Sequence, residues 1–276
     1  MIRRPACSVL VLAAVVACSE SKKEAPPPPP PAPVAELSNQ AVLALEQTPG
    51  STPALPDATE PSPAPVAGIS GAPGPSPAYG PVDASVYVFV LSDFQCPVCR
   101  RAIEPLKYLA RRHPTDVRIV FKHNALTSHV RAAATAAAAI AAFRQEKFWA
   151  FADRVFERQG PYDDDALAAH AQAVGLDVAR FRTDLADPAV TAQVQYESAL
   201  ATSVELRSTP TFVVNGTIQK GWGSYMGIEA QVTRELARAK QIAAGGVPPA
   251  RVAYEATRQS TPEGERLAAA LFPPSK

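Results

Sequence analysis

The chain contains a continuous run of hydrophobic residues, and hydrophobic positions at helical spacing follow it. Residues 86–91 are apolar throughout and rich in β-branched and aromatic side chains, which is typical of a strand buried on both faces. From residue 102 to residue 110 the apolar positions recur at helical spacing, so the strand leads into a helix. This helix is expected to begin at Cys96 and Pro97, because proline fits the first helical position, where its missing amide costs nothing.

The remaining elements predict an α/β fold. Residues 117–121 form a second predicted strand, which a right-handed crossover places parallel to the first. A helical block follows, in which Ser128 is expected to cap an alanine-rich helix that ends near Ala142. A hairpin then turns at Asn215-Gly216, a dipeptide that favours tight turns between strands. The other predicted elements are helices at 147–159, from 164, from 177 and from 187, strands at 211–214 and 217–220, and a helix at 225–243.

The first residues of the chain indicate export. Two arginines precede an apolar run at residues 9–17 that is too short to span a bilayer, so residues 1–17 are predicted to be a signal peptide. The run ends in Val15-Val16-Ala17-Cys18, which resembles the lipobox of bacterial lipoproteins. That resemblance implies cleavage before Cys18 and lipidation of this cysteine, with the membrane contacted through the lipid alone. An ordinary secretory signal or a signal anchor is the alternative.

Composition divides the rest of the chain into a tether, a domain and a tail. Residues 18–81 hold 17 of the 29 prolines and one aromatic residue, Tyr79. Such a segment cannot bury enough apolar surface to offset the entropy of ordering it, so it is predicted to be a proline-rich tether. Residues 82–245 are then a single domain, and residues 246–276 a tail of unknown role. The formal net charge of +1 excludes a strongly basic nucleic-acid binder and argues against a polybasic membrane patch.

Cysteine usage directs attention to one pair. The chain has four cysteines; Cys7 leaves with the signal peptide and Cys18 would carry the lipid, so Cys96 and Cys99 are the thiols of the mature domain. A structural zinc site needs four ligands, and the four histidines form no second ligand pair at short spacing. The two thiols are therefore predicted to be reactive, with no metal and no bound cofactor.

A Cys-x-x-Cys pair at the first turn of a helix has a defined chemistry. The unpaired amides and the positive end of the helix dipole favour the thiolate form of Cys96. Cys99 lies one turn further along the same helical face and is expected to be more shielded than Cys96. An exposed Cys96 that exchanges with substrate sulfur, and a Cys99 that resolves the mixed disulfide, together predict thiol–disulfide exchange.

Several segments resemble the DsbA-like branch of the thioredoxin superfamily. The segments that carry the resemblance are Asp93-Phe94-Gln95-Cys96-Pro97-Val98-Cys99-Arg100-Arg101, Phe148-Trp149, Gly175-Leu176-Asp177 and 208–216. The resemblance implies a thioredoxin fold with a helical insertion between its βαβ and ββα halves. It also implies a cis peptide at Thr209–Pro210 packed against the cysteine pair, with the Thr209 backbone offered to an extended substrate.

Two positions depart from the pattern of this family. Ser208 stands where the family usually has glycine. Pro97 and Val98 stand between the cysteines, where strongly oxidising members often carry a histidine that stabilises the thiolate. The resemblance therefore implies a weaker oxidant than those members.

The other polar and aromatic residues receive structural interpretations. Asp93 is expected to cap the turn before the helix, with a role as proton acceptor as the alternative. His123 and His129 are expected to be exposed to solvent, although either could face the cysteines. Trp149 and Trp222 are predicted to be packing residues.

Together these features predict a thiol–disulfide oxidoreductase tethered on the periplasmic side of the bacterial cell envelope. Its predicted partners are exported proteins that contain cysteines and a separate protein that resets its redox state, and a monomer is expected. A single tethered domain favours an oxidase, while an isomerase or a reductase stays open. The alternative from another class is a redox-inactive module that holds extended chains in a groove beside Pro210.

Overall fold

The computed structural model describes residues 54–61 and 73–272, together with Gln40 and Ala44. The predicted signal peptide, the predicted lipidation site at Cys18 and most of the predicted tether lie outside the described residues. Among the residues that are described, no helix is both long and apolar enough to cross a membrane.

A single mixed sheet forms the centre of the described domain. Its strands follow the order β1-β2-β4-β3-β5-β6. The pair β3 and β4 is parallel, as the sequence predicts, and every other neighbouring pair is antiparallel. The strands are β1 Ala58–Glu60, β2 Ser76–Tyr79, β3 Val86–Ser92, β4 Val117–His123, β5 Thr211–Val214 and β6 Thr217–Lys220.

Helices cover both faces of this sheet. They are α1 Pro97–Arg112, α2 Ala132–Phe143, α3 Phe148–Arg158, α4 Asp164–Ala173, α5 Val178–Leu185, α6 Pro188–Ser203, α7 Tyr225–Ala244, α8 Pro249–Arg258 and α9 Gly264–Leu271. One face packs against α1, α3 and α7, and the opposite face packs against α6, α8 and α9. The predicted thioredoxin fold is thus confirmed, with α2 to α6 inserted between β4 and β5.

The central strand β3 contributes to both hydrophobic cores. All seven of its residues are buried, because alternate side chains of a strand point to opposite faces. Val86, Val88 and Val90 belong to the core beneath α1, while Tyr87, Phe89 and Leu91 belong to the core beneath α8 and α9. This two-sided burial explains why the sequence of β3 is a continuous apolar run. It also holds in place the end of β3, after which α1 starts.

The folded domain begins before the predicted boundary at Val82. Strand β2 pairs with β4, and β1 pairs with β2, so parts of the predicted tether belong to the sheet. Asp57 also accepts the backbone amides of Phe148 and Trp149 at the start of α3. The assignment of all of residues 18–81 to a tether is therefore wrong for residues 54–61 and 73–81.

The predicted tail also contributes to the fold. Helices α8 and α9 both lie within residues 246–276 and supply the second core with Ala253, Leu267 and Leu271. Phe272 follows α9, and the centroid of its ring lies 5.0 Å from the ring centroids of Tyr87 and of Phe89. The segment therefore covers one face of the central strand.

The start of the alanine-rich helix differs from the prediction. Helix α2 begins at Ala132, with Arg131 rather than Ser128 at the capping position. Ser128 lies in the preceding turn, where the backbone amide of His129 donates to the carbonyl of Leu126. This turn is held by contacts to the segment before Cys96, which are described below.

Candidate active site

The two cysteines lie where β3 passes into α1. Cys96 is the capping residue of α1 and Pro97 occupies its first turn, as the sequence predicts. The amide of Cys96 donates to the carbonyl of Asp93 over 3.1 Å, and the carbonyl of Cys96 accepts the amide of Arg100 over 3.3 Å. These bonds set the turn that places Cys96 at the positive end of the helix and Cys99 one turn inside it.

Both thiols are free; Cys99 is shielded, as the sequence predicts, whereas Cys96 is more enclosed than predicted. Cys96 is 6% exposed and Cys99 is 2% exposed. The prediction of an exposed Cys96 is therefore wrong. The reason lies far away in sequence, because the segment that contains Thr209 and Pro210 covers the start of α1.

Thr209 and Pro210 meet the cysteine pair at the end of the sheet where β3 finishes and the antiparallel β5 begins. The peptide bond between them is cis, as the family resemblance implies. The Sγ atom of Cys96 lies 3.4 Å from the carbonyl oxygen of Thr209, within reach of a hydrogen bond donated by a thiol to oxygen. The structure thus brings Cys96, Cys99, Thr209 and Pro210 together, although β4 and the whole helical insertion separate them in sequence.

The two sulfurs have opposite tendencies to ionise. A hydrogen bond from Cys99 is the main reason why the pKa of Cys96 falls to about 5, and smaller contributions come from the side chain of Thr209 and the backbone amides of Cys99 and Val98. Burial opposes this shift. The pKa of Cys99 lies well above its usual value, because burial and the neighbouring Cys96 both disfavour a second thiolate. Near neutral pH the pair therefore holds one ionised and one protonated sulfur.

The main donor to the Cys96 thiolate differs from the one that the sequence indicates. Sequence reasoning attributes the ionisation of Cys96 to the amides at the start of α1. In the structure those amides contribute, but the thiol of Cys99 contributes more. A motif without a histidine between its cysteines can thus still hold a strongly acidic thiol.

We expect replacement of Cys99 by alanine to raise the pKa of Cys96, because it removes the largest stabilising hydrogen bond to the thiolate. The pKa should move toward the value of about 8.5 of a free thiol. The pH dependence of alkylation of reduced Cys96 measures this shift, with a midpoint near pH 5 in the unmodified protein.

Cys99→Ser is the matched control, because serine keeps a hydroxyl donor at the same place. It should hold the midpoint below that of Cys99→Ala. Identical midpoints for the two variants would contradict the hydrogen-bond explanation.

Asp93 stabilises the turn before the cysteines. One carboxylate oxygen accepts the amide of Gln95 over 2.8 Å, and the other accepts the amide of Leu126 over 3.0 Å and contacts Nδ1 of His129 over 2.9 Å. Asp93 is 2% exposed. All of these contacts orient the loop that precedes α2 against the cysteine turn. They match the interpretation of Asp93 as a capping residue rather than a proton acceptor.

The two histidines near the site differ from the expectation of solvent exposure. His123 is fully buried, and its ring lies 5.2 Å from Phe121 and 6.1 Å from Phe94, measured between ring centroids. Burial lowers the pKa of His123, so the ring is neutral at physiological pH. The side chain of His129 is 27% exposed and paired with Asp93. Strand β4 continues two residues further than predicted, which carries His123 into the core.

Sequence reasoning missed two residues that contact the cysteine turn. The side-chain amide of Gln159 donates to the carbonyls of Cys96 and Phe94, over 3.1 and 3.3 Å, and the hydroxyl of Tyr162 donates to the carbonyl of Phe94 over 3.2 Å. Gln159 is predicted to end a helix, whereas it adopts the left-handed conformation, with φ of +41°, just after α3. Only the Gly160-Pro161 stop signal pointed to a special backbone here.

The two tryptophans are packing residues, as predicted. Trp149 is 2% exposed, and its indole nitrogen donates to the carbonyl of Ala78 over 3.2 Å. The ring of Trp222 packs edge-on against Phe212, with 5.7 Å between centroids. Within the described ranges, no group of three or more histidine, cysteine or acidic side chains is arranged to hold a metal ion.

Comparisons with known proteins point to one fold. A family model described as Thioredoxin matches residues 73–234. The structure is similar to that of a thioredoxin-like oxidoreductase from Silicibacter pomeroyi DSS-3, with a TM-score of 0.53 and 29% sequence identity over 60% of this chain and 92% of that chain. It is also similar to the thiol-disulfide exchange protein alpha-DsbA2 from Wolbachia pipientis, with a TM-score of 0.53 and 17% identity over 58% of this chain and 86% of that one. The second likeness concerns the fold alone.

Curated sequences give a further match. The chain is 36% identical over 142 residues to the Na(+)/H(+) antiporter NhaA of Herminiimonas arsenicoxydans, which is 51% of this chain and 22% of the relative. Other antiporters of this name match in the same way. The chain spans about a quarter of the length of the curated relatives that it matches.

Proposed function

Because this chain belongs to the thioredoxin family, we propose that it is a protein thiol–disulfide oxidoreductase that acts through Cys96 and Cys99. One observation carries the proposal. The acidic thiol of Cys96 begins a helix, lies against the cis peptide at Thr209–Pro210 and has a second, protonated thiol as its neighbour. Thiolate is the form of cysteine that attacks sulfur.

The exchange uses two sulfur displacements. When the protein is reduced, the Cys96 thiolate attacks one sulfur of a substrate disulfide, the substrate S–S bond breaks, and the released thiolate takes a proton. Cys99 then loses its proton and attacks the Cys96 sulfur, which forms the Cys96–Cys99 disulfide and releases the second substrate thiol. Oxidation of a substrate dithiol is the same sequence in reverse. Electrons are stored in the cysteines, so the reaction requires no bound cofactor.

The balance of the two pKa values favours the direction of an oxidase. A low pKa of Cys96 stabilises the reduced protein relative to its disulfide, and a stabilised reduced form makes the disulfide a stronger oxidant. Because that pKa falls to about 5 without a histidine between the cysteines, we infer that the protein oxidises substrate dithiols. Isomerase and reductase activities are the alternatives within the same chemistry.

Partners and location complete the proposal. The substrates are exported proteins that contain cysteines, and a separate protein returns Cys96 and Cys99 to the disulfide state. Lipidation of Cys18 would tether a monomer to the bacterial envelope on its periplasmic side. The antiporter name describes the curated relatives as whole proteins, and this chain spans only a quarter of them, so transport is not part of the proposal.

Trapping of covalent partners tests the proposed function. In Cys99→Ala the resolving thiol is gone, so mixed disulfides between Cys96 and its substrates should persist and be recovered from the envelope under non-reducing conditions. A double variant with Cys96→Ala and Cys99→Ala is the control and should recover none. If Cys99→Ala traps nothing and the unmodified protein also fails to exchange with glutathione, a redox-inactive module that holds extended chains beside Pro210 becomes the better explanation.

A further inference from the structure

A cleft begins next to Thr209 and follows the edge of the sheet. Its near part, with a volume of about 510 Å³, is lined by Glu205, Arg207, Ser208 and Lys220. Its far part, of about 420 Å³, lies between β6, the residues that follow α6, and α9. Glu205 and Lys220 line both parts, so we treat them as one space and call it the edge cleft. Because Ser208 precedes Thr209, the edge cleft leads away from the Cys96 sulfur.

The backbone of β6 presents an open edge. Gly221 donates its amide to the carbonyl of Pro210 on the β5 side, over 2.8 Å, and hydrogen-bonded positions alternate along an antiparallel pair. The next bonded position on β6 is therefore Gln219, while Ile218 and Lys220 direct their amide and carbonyl groups away from β5. In the part of the chain that the structure describes, β6 is the outermost strand on this side. These outward groups have no strand partner there.

The side chains of the edge cleft combine an apolar floor with a basic mouth. Ile218 is 39% exposed and forms an apolar floor in the far part with Val204, Leu206 and Leu267, beside the charged Glu263 and Arg266. At the mouth, Arg207 and Lys220 have no ion-pair partner among the described residues, whereas Glu205 is the single acidic side chain. The mouth therefore carries a net charge of about +1 and attracts an acidic side chain.

We propose that the edge cleft binds the extended segment of a substrate polypeptide that flanks its reactive cysteine, which adds as a strand to β6. This inference rests on the proposed function. An extended segment satisfies the outward backbone groups of Ile218 and Lys220, as in other cases of strand addition to a sheet edge. It places an apolar side chain on the floor and an acidic side chain at the mouth. The four residues of β6 correspond to about 13 Å of extended substrate.

The far wall of the edge cleft lies outside the region that the family model matches. That match ends at residue 234, whereas the wall is formed by the segment from Thr261 to Leu267. Selection of the polypeptide thus depends on a part of the chain that follows the matched region.

Kinetics with a long and a short thiol test the proposal. The probes are a synthetic peptide with one cysteine, one aspartate and one leucine, long enough to reach Ile218, and glutathione. Each thiol attacks the Cys96 sulfur of the oxidised protein, and Cys99 leaves as the thiolate and is protonated. Ile218→Asp should lower the second-order rate constant for the peptide about tenfold, which corresponds to about 1.4 kcal/mol, and change that for glutathione by less than about twofold.

Two further variants complete the kinetic experiment. Val82→Asp is the matched control, because Val82 is also an exposed apolar residue, 65% accessible, and lies just before β3, at the end of the strand away from the cysteines. It should leave both rate constants unchanged. Ile218→Thr retains the preference for a strand and serves if Ile218→Asp does not fold. If the unmodified protein reacts with neither the peptide nor glutathione, the proposed function is overturned. A normal glutathione rate with an unaffected peptide rate overturns the edge cleft alone.

Hydrogen exchange tests the strand addition directly. In the mixed disulfide of Cys99→Ala with the peptide, the amides of Ile218 and Lys220 should exchange more slowly than in the free protein. The amide of Gln219 is already bonded to β5 and should change little. If the amides of Ile218 and Lys220 already exchange slowly without peptide and the protein has twice the mass of one chain in solution, a second copy of this chain covers the edge and the proposal is overturned. A mixed disulfide in which the exchange rates of all three amides are unchanged also overturns it.

Discussion

Replacement of Cys96 by alanine is expected to lower the rate of thiol–disulfide exchange at least about a thousandfold, because it removes the nucleophile of both displacements. Cys99 cannot replace it: the structure buries Cys99 to 2% exposure, and its pKa lies well above the usual value. The measurement is the rate at which the reduced protein reacts with oxidised glutathione, followed by release of glutathione thiol.

Two comparisons sharpen this result. Cys99→Ala keeps the Cys96 nucleophile, so it should still form the mixed disulfide once and then stop. Val82→Asp changes an exposed residue far from the cysteines in the fold without removing a sulfur and should retain exchange. Activity that survives Cys96→Ala would exclude the proposed chemistry and favour a module that binds polypeptides without redox exchange.

Arg118→Ala is expected to lower the free energy of unfolding by about 3–5 kcal/mol, because it breaks a buried ion pair. Nε of Arg118 lies 2.7 Å from a carboxylate oxygen of Glu60, and both side chains are nearly inaccessible. The guanidinium also donates to the carbonyls of Gly80 and Thr59. Its removal leaves Glu60 buried with only the weaker attraction of Lys122. Urea unfolding of the reduced protein measures the loss.

A double variant distinguishes the buried charge from lost packing. Arg118→Met combined with Glu60→Met removes both charges and keeps apolar volume at both positions, so it should be clearly more stable than Arg118→Ala. If the double variant is equally unstable, the loss arises from the contacts to Gly80 and Thr59 rather than from an uncompensated carboxylate.

Local patterns were sufficient for the elements that carry the cysteines. The run 86–91 predicts β3 because a strand buried on both faces has no polar positions, and Pro97 marks the start of α1 because its ring suits the first helical turn. The same holds for the hairpin at Asn215-Gly216. In each case the information lies within a few neighbouring residues.

Features that depend on contacts between residues far apart in sequence could not be predicted from local patterns. Strand β2 contains Pro77 and small residues, which argue against a strand, and it forms because β1 and β4 pair with it on its two sides. Likewise the burial of Cys96 depends on Thr209, and the position of His123 depends on the aromatic rings around it. Gln159 reaches the carbonyl of Cys96 from a backbone conformation that its sequence does not indicate.

The contact of Phe272 with Tyr87 and Phe89 has a consequence for how the chain folds during synthesis. Helix α6 and then α8 pack on the second face of β3, but its cover is complete only when α9 and Phe272 have left the ribosome, because nearly the whole domain separates Phe272 from β3 in sequence. Contacts of such high sequence separation delay stable folding. The complete domain therefore forms only late in synthesis, a timing that agrees with the export that the first residues predict.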